Sequence, residues 1–135
     1  HRGRNPAAGL FAAGPATEDH GYRATRALLG LPAAPTAFLC ASMFLASGCC
    51  RAIGDCGLRI GRDVSVIAHD DGLATVRPEA FDPPLTTTFS SIRAAGTRVA
   101  ELAAALIGGA DPATLSEVRP VDLIFRDSAQ APPRR

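Results

Sequence analysis

The stretch "DVSVIAHDDGL" (residues 63–73) decides the fold. Val64, Val66, Ile67 and Ala68 read as a buried strand, and two adjacent carboxylates, Asp70 and Asp71, stand where that strand must stop. Two neighbouring acids at its tip leave three chemistries open: a catalytic or phospho-accepting acid, a metal site, or acceptors for a polar ligand.

Working outward, the same alternation repeats. Residues 10–13 read as a short strand, followed by a Gly-Pro turn and a helix that Thr17 caps, with Glu18 and Asp19 in the first turn where the helix dipole favours acids. Gly30 and Pro32 end that helix. "TAFLCA" (36–41) is the next strand, and Ser42 caps a second helix that runs to Cys56 and closes at Gly57. Beyond the opening stretch, the proline-broken residues 72–85 allow one short helical turn at most. "LTTTF" (85–89) is a fourth strand, Ser90 or Ser91 begins a long helix to Ile107, and "EVRPVDLIFRDS" (117–128) returns as an extended segment. Strand–helix alternation predicts an α/β fold, a parallel sheet with helices on both faces and right-handed crossovers. Ligands of such sheets bind beyond the carboxyl ends of the strands. There the sequence places residues 14–17, Ser42, residues 69–71 and Ser90.

Composition narrows the chemistry. The 135 residues make one domain at most, with a formal net charge of +1, so this chain by itself has no pull toward nucleic acid or an anionic membrane surface. No apolar run reaches the length of a membrane span. All 14 basic residues are arginine. A receiver-type phosphoacceptor needs a lysine, and a haloacid-dehalogenase-type phosphatase needs two acids separated by one residue. Neither pattern is present. His69 and Asp70 are consecutive on a strand and point to opposite faces, which disfavours joint metal ligation. Cys40, Cys49, Cys50 and Cys56 lack a C-x-x-C pair and read as small buried hydrophobes in a reducing compartment. No nucleophile-elbow spacing or Ser-His-Asp order stands out. The expectation is a protein without catalysis, metal or cofactor, whose acids accept hydrogen bonds from a ligand. An aspartate at such a place can also simply bond free backbone N–H groups, and Asp71, nearer the turn, is the one expected to do so.

The landmarks "GYRATRALLGLPAAPTAFLCAS", "GLRIGRDVSVIAHDD", "PPLTTTFSSIRAAGTRVAELAAALI" and "LIFRDS" occur in the order and with the gaps of one family. Over residues 14–127 the chain resembles the bacterial lactose/galactose-repressor transcriptional regulators. The resemblance implies a truncated periplasmic-binding-protein-like type I lobe. Residues 1–90 would form the C-terminal lobe of an effector-binding domain, and 91–120 a crossover segment belonging to a mostly absent N-terminal lobe. Residues 121–128 would be the returning strand and 129–135 a disordered tail. It also implies a small-molecule effector, sugar-like or nucleobase-like, a homodimer, and operator DNA reached only through a missing N-terminal helix-turn-helix domain. The setting implied is the cytoplasm, with no membrane. Asp70 matches the family's ligand-accepting aspartate. Ser42 stands at the usual asparagine of "A-N-D", Ser90 at the polar position after "L-T-T", and Ala16 where some members stack an aromatic ring on a sugar. His69 replaces the usual Phe or Tyr beside the pocket. The second helix is expected to form the dimer surface, with Ser47, Cys49 and Cys56 along it. A periplasmic solute-binding protein of the same fold is the rival reading; a sugar- or nucleotide-processing α/β enzyme is a third.

Overall fold

The computed structural model describes residues 9–73 and 75–131. Its helices are α1 (Glu18–Leu29), α2 (Met43–Asp55) and α3 (Ile92–Ile107). Its strands are β1 (Ala37–Cys40), β2 (Ser65–Asp70), β3 (Thr86–Phe89) and β4 (Asp122–Ile124), in sheet order β1-β2-β3-β4. Single 3-10 turns lie at Pro78–Ala80 and Pro112–Thr114.

Local chemistry sets most boundaries. Thr17 and Ser42 accept the amides of His20 and Leu45 and start α1 and α2. Gly57, with φ +71°, supplies the left-handed turn that follows α2. Helices α1 and α2 approach closely through two glycines. A Cβ on Gly48 would stand 1.9 Å from the Glu18 carbonyl oxygen, and one on Gly21 2.3 Å from that of Leu45. The core lies between α2 and one face of the sheet, built from Cys40, Met43, Cys49, Ile53, Val66 and Leu85 with their smaller neighbours.

Strands β1, β2 and β3 run parallel, with Leu39 beside Ile67 and His69 beside Thr88. The fourth runs antiparallel against β3, a departure from the all-parallel expectation. The returning chain then wedges between β2 and β3 where their pairing begins. Ser128, fully buried, accepts the Val66 amide through its carbonyl (2.9 Å) and the Thr86 amide through Oγ (2.8 Å). Its hydroxyl donates to the Val66 carbonyl at 2.6 Å. Arg126 braces the same corner, donating to the Leu85 carbonyl and pairing with Glu79.

Two further expectations are corrected. Residues 10–13 form no strand, and Phe11 is 83% exposed. A short apolar run becomes a strand only beside a partner that takes its hydrogen bonds, and among the described residues β1 is a free edge. The second helical layer is also not found among the described residues. On the face bearing Leu39, Ile67 and His69, Leu39 is 79% exposed. Helix α3 buries no residue, and Val99 and Ile107 are 64% and 88% exposed. Its apolar stripe at three-to-four spacing is built to lie against another surface.

Candidate functional site

Three strand ends meet at one edge of the sheet. The first leads through Ala41 into Ser42, whose hydroxyl is the N-cap of α2. The second carries Asp70 as its last residue, so the strand runs one acid further than its apolar pattern indicates. Asp70 Oδ1 accepts the amide of Gly72 (2.9 Å), and Asp71 Oδ1 accepts that of Leu73 (3.1 Å). Gly72, at φ +77°, makes this turn possible. The expected division between a ligand acid and a structural acid is therefore not visible in their bonding: among the described residues each carboxylate takes one turn amide on Oδ1.

The third strand end leads into α3. The Ser90 amide donates to the Asp70 carbonyl (3.1 Å) and the Ile92 amide to the Asp71 carbonyl (2.9 Å), so the backbone after β2 pins the start of the crossover. The His69 ring lies between two hydroxyls, with Nδ1 3.0 Å from Thr88 Oγ1 and Nε2 3.2 Å from Ser90 Oγ. All three are part-buried. Thr88 was not among the residues expected here. Its signal was the register: strands ending in "AHD" and "TTF" pair His69 with Thr88 once aligned at their tips.

The expected group thus divides in two. Ser42 and Asp71, with Phe44 and Thr75, line a cleft of about 20 Å³, while His69 and Ser90 share a hydrogen bond. The Asp70 side chain is held at its own turn and joins neither pair. Ala16 is exposed in the loop before α1, and Thr17 is the cap it was expected to be. A serine hydroxyl 3.2 Å from an imidazole is also what a hydrolase nucleophile needs. Here the other ring nitrogen meets a threonine hydroxyl rather than an orienting carboxylate. Among the described residues no three His, Cys, Asp or Glu side chains are placed to hold a metal.

The α2 surface differs from its expectation. Cys49 is 1% exposed and belongs to the core, so it forms no outer edge with Cys56, which is exposed. The seven-residue spacing does put them on one helical face. That face turns inward, and Cys56 is the C-cap past the end of the packed region. Ser47 is half-buried. The exposed side of α2 is mixed: Phe44 is exposed at one end, while Arg51 pairs with Glu18 of α1 at 2.9 Å and lies 4.6 Å from the Tyr22 ring centroid, and the Tyr22 hydroxyl donates to Asp55. That hydrogen bond to a carboxylate pushes the phenol above its usual range. In the core, the interaction between the Cys40 and Cys49 thiols holds the Cys40 thiol above its usual range and that of Cys49 below. Burial pushes Cys50 up to about 12.

A strand-end site on an open parallel sheet is a fold-level signature, and comparison with known proteins supplies the family. The profile of the periplasmic binding protein-like domain matches residues 1–129. The chain belongs to that family, among the lactose/galactose-repressor regulators. It is 56% identical over 93 residues to the HTH-type transcriptional regulator AglR of Rhizobium meliloti, covering 69% of this chain and 25% of AglR. It is 36% identical over 112 residues to the lactose operon repressor of Escherichia coli, covering 83% of this chain and 30% of that protein. The chain thus spans under a third of either relative's length. Among solved structures, a regulatory protein of the LacI family from Chloroflexus aggregans superposes with a TM-score of 0.75 at 29% identity, over 93% of this chain and 44% of that one. The lac repressor dimer bound to operator and the anti-inducer ONPF superposes with a TM-score of 0.71 at 30% identity, over 85% of this chain and 39% of that one. Among the described residues no helix is long and apolar enough to cross a membrane.

Proposed function

We propose that this chain is the effector-binding and dimerisation part of a cytoplasmic LacI-type regulator. A helix-turn-helix outside it would carry operator binding, and the chain itself would carry no catalysis. The observation that bears most weight is the strand-end acid pair: among the described residues Asp70 and Asp71 each spend one carboxylate oxygen on a turn amide, with the Asp71 side chain beside Ser42 and the Asp70 carbonyl holding the Ser90 amide. A carboxylate with a free oxygen accepts from ligand hydroxyl or N–H groups, which suits a sugar-like or nucleobase-like effector. Residues 1–90 act as one lobe in this reading, and 91–120 as a crossover that packs on a second lobe. Helix α3, which has no buried residue, supports that division. A homodimer would form over α2 around Ser47 and Cys56, through a surface that mixes exposed Phe44 with charged Arg51 and Asp55.

The test is calorimetric titration of the full regulator with candidate sugars and nucleobases. Asp70→Ala should weaken effector binding by about 1.5–3 kcal/mol, the worth of hydrogen bonds to a charged group. Unchanged affinity in Asp70→Ala with a loss in Asp71→Ala would move the ligand acid one residue along. Unchanged affinity in both variants would end the reading.

A further inference from the structure

We propose that His69 is a positioning residue that fixes the Ser90 hydroxyl, and with it the joint between β3 and α3, for effector recognition; the effector part of this rests on the function proposed above. The ring spans the two hydroxyls at this corner, with 3.0 Å to Thr88 and 3.2 Å to Ser90. Its own strand supplies the carbonyls of Asp70 and, just beyond, Asp71 that hold the Ser90 and Ile92 amides. One residue therefore has its backbone neighbours and its side chain gripping the same short connection. The hydrogen-bond direction follows from the imidazole. A ring nitrogen that bears a proton donates to its hydroxyl partner and leaves that hydroxyl's own proton for another acceptor. A bare ring nitrogen takes the hydroxyl proton instead and leaves the oxygen's lone pairs outward. The tautomer of His69 thereby sets whether Ser90 meets a ligand as donor or acceptor. A phenylalanine here, with no polar ring atom, could hold neither hydroxyl. The ligand chemistry implied at this corner is a neutral hydroxyl or amide group rather than a stacked ring.

The experiment uses the regulator carrying this chain. Amide hydrogen exchange is read at Ser90 and Ile92 in the wild type and in His69→Phe, His69→Gln and His69→Asn. A glutamine amide reaches the Nε2 position and keeps the Ser90 contact; an asparagine amide reaches only the Nδ1 position. Exchange at both amides should rise roughly five- to tenfold in His69→Phe and His69→Asn, the scale of one net hydrogen bond. It should stay near wild type in His69→Gln, with the core Val66 amide unmoved throughout. Equal exchange in all four proteins, or rescue by asparagine as good as by glutamine, overturns the proposal. In parallel, calorimetry with lactose and maltose should find His69→Phe and Ser90→Ala equally weakened and the double variant no worse than either. Additive losses also overturn it. If the wild type binds neither sugar, the sugar form of the effector reading fails, and the exchange result alone decides the role of His69.

Discussion

Ser128→Ala isolates one buried hydroxyl on which the returning chain depends. The substitution leaves the backbone bond from the Val66 amide intact and removes two contacts, the 2.8 Å bond from the Thr86 amide and the 2.6 Å bond to the Val66 carbonyl. Ser128 and Thr86 are both 0% exposed, so water cannot replace the hydroxyl without a new opening. An orphaned buried amide costs about 1–3 kcal/mol. The carbonyl, with a second lone pair, loses less. Together these come to roughly 2–4 kcal/mol, a large share of the ~5–15 kcal/mol that holds a domain together. Equilibrium urea unfolding followed by far-UV circular dichroism should show the midpoint fall with an unchanged slope. Ser65→Ala is the control, because its hydroxyl bonds to the same segment at Gln130 on an exposed site; it should cost under about 0.5 kcal/mol. Exchange at the Thr86 amide gives a second readout that does not need reversible unfolding. A Ser128→Ala midpoint equal to that of Ser65→Ala, with Thr86 still protected, would mean that the wedge is not what joins β2 to β3.

Three further outcomes follow from packing and charge. Gly48→Ala pushes a methyl into the Glu18 carbonyl, which is backbone and cannot rotate away, whereas a Cβ on Gly54 meets nothing within 4 Å; chemical denaturation should show a loss of about 3 kcal/mol for the first and a gain of up to about 1 kcal/mol for the second. Timed alkylation followed by mass spectrometry should label exposed Cys56 first and leave Cys40 and Cys49 unmodified until the chain unfolds. Arg59 donates to Asp63 from its side chain and its backbone amide and holds the carboxyl below the usual range. A depressed carboxyl contributes stability above its unfolded pKa of about 4 and loses it as pH falls through the folded value. Thermal melts of Asp63→Asn should therefore show less destabilisation by acid than the wild type in that window, and equal acid sensitivity would discount the pair.

Much of this architecture is local and was legible in the chain. Thr17, Ser42 and Ser91 cap helices because a short hydroxyl beside a helical run can reach free amides whatever the rest of the molecule does. The run ending at Asp70 is a strand because its residues suit a covered sheet, and the acids at its tip lie at the edge where ligands of parallel sheets bind as a rule. What the chain could not reveal is what depends on partners distant in sequence. Residues 10–13 have the composition of a strand and no ladder to join. Cys49 lies on the same helical face as Cys56, and only the sheet beneath α2 decides that this face turns inward. The antiparallel return of β4 and the Ser128 wedge depend on contacts more than thirty residues apart. The division of the site, with Ser42 beside Asp71 and His69 between Thr88 and Ser90, depends on strand register. Side-chain chemistry acts over a few residues and can be read along the chain; register and facing are settled by the whole fold at once.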